Sequence, residues 1–274
     1  MLMGFFLFFL AGPARSHEQV QIYRISDRKT ISFEQMIGEV SNAEIIFTGE
    51  LHNSERHHRL QLETVRGLSE AGLPVAIGLE MFPIGSQGTL DQWVAGSVPL
   101  DDFIPFYQKH WSQPWPLYRD IFLHARDNKI PLLALNIPPE INQKVRHSGF
   151  SSLTDEEIKQ LPPGLVCNVD DKYMQFIRKA FALHKNDDKA FIHFCESQLL
   201  WDKSMAWYLL DHMRKHPGKK IVVITGITHA WKMGIPDQLR QLSGGDYRVL
   251  LPEVPGAVEP GNLTTKDADY IFLR

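Results

Sequence analysis

The chain has 274 residues, 43% of them hydrophobic and 22% charged, which is enough to bury a large core in one domain. A formal net charge of -3 excludes the basic field that nucleic-acid binding requires. Two cysteines, Cys167 and Cys195, give neither a CxxC pair nor zinc-ribbon spacing; a disulfide between them is possible but not indicated.

At the start, Leu2 to Ala11 is an apolar run too short to span a bilayer, and Ala14-Arg15-Ser16 supplies small residues for cleavage before His17. Residues 1–16 read as a signal peptide without the usual basic region, with an uncleaved anchor or an upstream start as the alternatives. No Cys follows that run, so a lipobox is missing. The mature chain, 17–274, is expected to be periplasmic or exported.

Gln19 to Ser26 reads as an edge strand and Ser32 to Val40 as a short helix. Then Ile45-Ile46-Phe47-Thr48-Gly49-Glu50-Leu51-His52-Asn53 reads as a buried strand that ends abruptly in a carboxylate and an imidazole. A helix follows from Ser54 to Ala71, with Leu60, Leu62, Val65 and Leu68 on its apolar side and Ser54 or Asn53 as cap. Glu50 and His52 therefore sit in a strand-to-helix turn, where open α/β sheets bind ligands. The second core strand, Val75 to Phe82, carries Glu80, and an acid in an apolar strand is costly unless paired or liganded.

After a helix from Ser86 to Ala95, Pro99 to Tyr118 is broken by proline and dense in rings: Phe103, Phe106, Tyr107, Trp111, Trp115 and Tyr118. It is either a satellite core or an aromatic wall for a flat apolar ligand. A helix over Leu117 to Asn128 leads to a third strand, Ile130 to Leu135. Between it and the fourth, Lys220 to Thr225, lies far more chain than a crossover needs, read as a helical insertion over about 138–215 packed across the ligand edge. Its helices are Pro138 to Leu161, with a capping box at Thr154, then Asp170 to Leu183 and Lys189 to Lys215. On the last, Gln198, Asp202 and Met205 share one stripe.

The fourth strand closes on Gly226-Ile227-Thr228-His229, repeating the Gly49-Glu50-Leu51-His52 pattern. Two such GxxH turns on parallel strands would aim His52 and His229 into one crevice beside Glu50 and Glu80. Either turn alone is weak, since a lone histidine is more often a satisfied core residue. A helix from Gly234 and strands at Tyr247 to Leu251 and Tyr270 to Leu273 complete the expected fold. The class is α/β, a mainly parallel central sheet flanked by helices.

Six ordered blocks, GELHN at 49–53, GLEMF at 78–82, YRDIFLHAR at 118–126, ALNIP at 134–138, SQLLWDKSMA at 197–206 and GITHAWKMGIP at 226–236, make the chain resemble the ChaN-like haem-binding proteins of the Tiki and erythromycin-esterase-like superfamily. That resemblance implies an exported haem-binding protein of bacterial haem and iron uptake, in some relatives a homodimer enclosing two haems with a tyrosinate on each iron. Partners would be haem, a second copy and the uptake machinery of the cell envelope. Relatives are often lipoproteins, so the missing lipobox is a departure. Tyr107, Tyr118 and Tyr173 are the candidate iron ligands, with Trp111 and Gln198 as further contacts. Lys203, Lys232 and Arg56 are candidates for the propionates. The same superfamily contains hydrolases, so the alternative is a hydrolase using Glu50, His52, Glu80 and His229, either around a divalent metal or as a general base for water.

Overall fold

The computed structural model describes residues 20–180, 188–242 and 245–274; the signal peptide expected at 1–16 lies outside them. The strands are β1 (Gln21–Arg24), β2 (Lys29–Ser32), β3 (Ile45–Glu50), β4 (Val75–Pro83), β5 (Leu132–Asn136), β6 (Lys220–Gly226), β7 (Tyr247–Pro252) and β8 (Tyr270–Phe272). They form one sheet in the order β2-β1-β8-β7-β3-β6-β4-β5. From β8 to β5 every neighbouring pair is parallel; β1 runs antiparallel to both β8 and β2.

Strands buried on both faces need apolar side chains at successive positions, which is why the central ones read as continuous runs. Ile45 and Phe47 enter one core while Ile46 enters the other, and Ile221 and Val223 alternate likewise with Val222 and Ile224. One face is covered by α1 (Phe33–Val40), α2 (Glu55–Glu70), α3 (Gln87–Ala95), α4 (Leu100–His110) and α5 (Trp115–Asp127). Between β5 and β6 come α6 (Pro139–Ser148), α7 (Asp155–Ile158), α8 (Asp171–Ala180) and α9 (Asp188–Lys215), followed after β6 by α10 (Ile227–Ala230) and α11 (Ile235–Leu242). Of these, α6, α8, α9 and α11 build the core on the second face. Among the described residues no helix is long and apolar enough to cross a membrane.

Three local readings change. The hairpin strand β2 has one buried apolar residue, Ile31, too little pattern to show in sequence. The helix expected over Pro138 to Leu161 is cut at Gly149, whose φ of +85° suits glycine, and restarts at the capping box of Thr154 and Glu157. The ring-rich stretch is chiefly core: Phe103, Tyr107, Trp115 and Tyr118 are buried with α2, α3 and α5. Cys167 and Cys195 are both buried and free.

Candidate functional site

Strands β3 and β6 run side by side in register, from Ile45 opposite Ile221 to Glu50 opposite Gly226. Both GxxH turns therefore leave the same edge of the sheet together. Gly49 is required there, because a Cβ would lie 2.9 Å from Leu251 Cδ2 and 3.2 Å from the Ile227 Cα. On the other side of β6, β4 brings up Glu80. Its Oε2 accepts from the Thr225 hydroxyl and, at 2.6 Å, from the Gly226 N–H, so the second turn satisfies the buried acid of the neighbouring strand.

Above this edge is a cavity of about 1170 Å³, lined by Glu50, His52, Glu80 and His229. Trp111, Phe191, Phe194 and Trp201 supply its aromatic walls. Each imidazole is held in the same manner. His52 Nδ1 lies 2.8 Å from Glu50 Oε1, and His229 Nδ1 lies 2.6 Å from Asp202 Oδ1. A tryptophan stands edge-on to each ring: Trp111 at 5.0 Å from His52 and Trp201 at 5.6 Å from His229. The His52 side chain is 36% exposed and that of His229 only 7%.

The carboxylates are supported from beneath. Tyr118 donates its hydroxyl to Glu50 Oε1, and His58 Nε2 approaches Glu50 Oε2 at 3.3 Å. Burial pushes the Glu50 carboxyl up, but the hydrogen bonds of His52, His58 and Tyr118 outweigh it and hold the group down at about 2. Tyr173 donates to Asp202 Oδ2 at 2.5 Å. Burial opposes charge on His229 as well; the Asp202 and Glu80 carboxylates prevail and raise it to about 9. His52 is likewise raised, by Glu50 and Glu80 against burial. The arrangement is thus two carboxylate–imidazole pairs sharing one pocket with a third acid.

The three tyrosines expected as iron ligands lie elsewhere: Tyr107, Tyr118 and Tyr173 are buried and none lines the cavity. Their hydroxyls donate to the Gln113 carbonyl, Glu50 and Asp202, and burial first of all raises each phenol well above its ordinary value. Trp111 and Gln198 do line it. The expected propionate cations do not. Lys232 pairs with Asp269 at 2.6 Å, Lys203 donates to the Val166 carbonyl and Arg56 to the Leu273 carbonyl. Sequence reading missed Arg146, Arg178, Phe191, Phe194 and Trp201 as lining residues, and it placed Asp202 on a buried stripe without pairing it to His229. Among the described residues no group of three or more His, Cys, Asp or Glu could hold a metal ion.

A family model described as haem-binding uptake, Tiki superfamily, ChaN, matches residues 36–239. The chain is 25% identical over 203 residues to the chloroplastic protein RETICULATA-RELATED 5 of Arabidopsis thaliana, covering 69% of this chain but 27% of that one. It thus spans about a quarter of the length of that curated relative. Among solved structures, ChaN of Campylobacter jejuni, described with cofacial haem binding, superposes with a TM-score of 0.72 at 20% identity, over 94% of this chain and 98% of that one. The type III effector HopBA1 follows with a TM-score of 0.54, 10% identity and coverage of 87% and 90%. An erythromycin esterase mutant, EreC H289N, has a TM-score of 0.52, 12% identity and coverage of 84% and 76%. At such identities the structural likenesses establish the fold. The family rests on the sequence match, which takes in both GxxH turns, Glu80 and the α9 stripe: the chain belongs to the ChaN haem-binding uptake family of the Tiki superfamily.

Proposed function

We propose that this chain binds haem in the cavity at the C-terminal edge of its parallel strands and serves haem and iron uptake. The observation that carries the reading is the cavity itself, about 1170 Å³ with four aromatic rings and two oriented imidazoles on its walls. Ligand pockets commonly measure about 300–1,000 Å³, so a macrocycle has room. Imidazole is a common haem ligand, and a carboxylate on Nδ1 leaves Nε2 as the nitrogen for iron. Of the two, His52 is the more accessible. A tyrosinate at Tyr107, Tyr118 or Tyr173 would instead have to ionise in a buried site beside Glu50 or Asp202. Export to the periplasm, a homodimer and delivery to the uptake machinery belong to the same reading, and the family's description as haem-binding uptake supports the last of them.

A haemin titration followed by visible absorbance tests it. Saturable binding with an imidazole-type spectrum that changes in His52→Ala is expected. Non-saturable partitioning defeats the proposal, and a tyrosinate spectrum indifferent to His52→Ala and His229→Ala moves the haem out of this cavity.

A second reading, hydrolysis, is favoured by the paired dyads. His52, backed by Glu50, is built to take a proton from water, while His229, held protonated by Asp202, is built to give one to a leaving group. Hydrolysis of p-nitrophenyl acetate above the buffer rate and its loss in His52→Ala are the expected results. A rate that His52→Ala leaves unchanged removes this reading.

A further inference from the structure

Haem is not only a flat apolar ring; it carries two carboxylates, and a cavity that recognises it has to answer their charge. The acids in this cavity are compensated from within: Glu50 by His52, Asp202 by His229 and Tyr173, Glu80 by Thr225 and Gly226. Among the described residues, two lining cations are not. Arg146, from α6, lies 4.6 Å above the centre of the Phe194 ring, and Arg178, from α8, lies 3.7 Å above that of Phe191. Neither has an ion-pair partner among the described residues.

A guanidinium resting on an aromatic face is fixed in orientation while the N–H groups around its rim remain free to donate. Both supporting rings come from the first turns of α9 and are themselves cavity walls. One helix therefore positions the apolar surface and both cations. A carboxylate is the complement of such a fork, since two parallel charge-assisted hydrogen bonds form at once. Resting on the haem-binding reading, we infer that Arg146 and Arg178 form a carboxylate clamp, and that the ligand class of the cavity is a tetrapyrrole bearing two free carboxylates. Recognition by the clamp does not require iron, so a metal-free porphyrin diacid binds as well.

Titrations of the full chain with protoporphyrin IX and with its dimethyl ester, followed by tryptophan quenching, remove iron from the readout. The free acid is expected to bind the wild type at least about tenfold more tightly than the ester. In the double variant Arg146→Gln/Arg178→Gln the two should bind alike. Arg146 is exposed and Arg178 half-buried, and the acid-to-ester comparison on the wild type needs no substitution. Equal binding of acid and ester by the wild type, or a preference that survives in the double variant, overturns the clamp. Haemin titrated in parallel separates the two failures. Saturable haemin binding without an acid preference overturns the clamp alone, whereas no saturable haemin binding overturns the haem reading and the clamp with it.

Discussion

Glu50 is 2% exposed, and a carboxylate in that position persists because Oε1 is bonded by Tyr118 and His52, while Oε2 has the His58 ring 3.3 Å away but no hydrogen-bond partner among the described residues. Tyr118 is the most deeply placed of them. Tyr118→Phe is expected to destabilise the chain by about 1.5–3 kcal/mol, the range for a hydrogen bond to a charged group, read as a lower urea midpoint. A midpoint equal to wild type would show that His52 and His58 suffice. On the other dyad, Asp202→Asn removes the charge that raises His229, and histidine NMR titration should show its pKa falling from about 9 by about one unit or more. Glu50, His52, Glu80 and His229 were legible in sequence because a polar residue closing an apolar run is a local pattern. Asp202, Arg146 and Arg178 sit on helices, where the direction a side chain faces depends on how the helix docks. No spacing along the chain reveals that a Phe below an Arg belongs to the same wall.

At the scale of elements, the two GxxH turns look alike but their glycines serve different ends. A Cβ at Gly49 meets the backbone of α10 and Leu251, so Gly49→Ala is an overpacking change expected to cost about 1–3 kcal/mol of stability. Gly226 has ordinary dihedrals, φ −56° and ψ 147°, open to any residue. Its Cβ would instead lie 3.0 Å from His52 Cε1 and 3.1 Å from Nε2. Gly226→Ala should therefore leave the far-UV circular dichroism and urea midpoint near wild type while forcing the His52 ring aside. Haemin affinity should fall by about 1 kcal/mol, roughly fivefold. Unchanged affinity would mean that His52 does not hold the iron. The parallel strands were readable because each is an apolar run closed by a turn. The division of labour between the glycines was not, since it depends on what α10 and His52 bring from elsewhere.

For the whole molecule, three buried groups near the sheet edge tie stability to pH in opposite directions. Glu50 is lowered from an ordinary 4.5 to about 2, so its contribution is complete above pH 4.5 and is lost as the pH falls through 2. His57, pressed by burial from 6.5 to about 4, folds neutral; the unfolded chain takes up its proton first, and stability drains as the pH falls from 6.5 through 4. His229 is raised from 6.5 to about 9, so its ion pair with Asp202 contributes fully below pH 6.5 and is lost as the pH rises through 9. The Glu50 and His57 terms are each on the order of 3 kcal/mol, a large share of the roughly 5–15 kcal/mol that holds a domain folded, while burial, which raises the Asp202 carboxyl above its ordinary value, takes back part of the His229 term. Urea midpoints should therefore peak near pH 6.5 and decline on both sides. One part of the alkaline limb belongs to this pair, which makes it separable: in Asp202→Asn the decline from pH 6.5 to 9 should shrink to what the raised His52 leaves, while the acid limb stays. A wild-type midpoint that is flat over that alkaline range would mean the folded chain does not hold the His229 proton, and with it would go the proton donor that the hydrolytic reading requires.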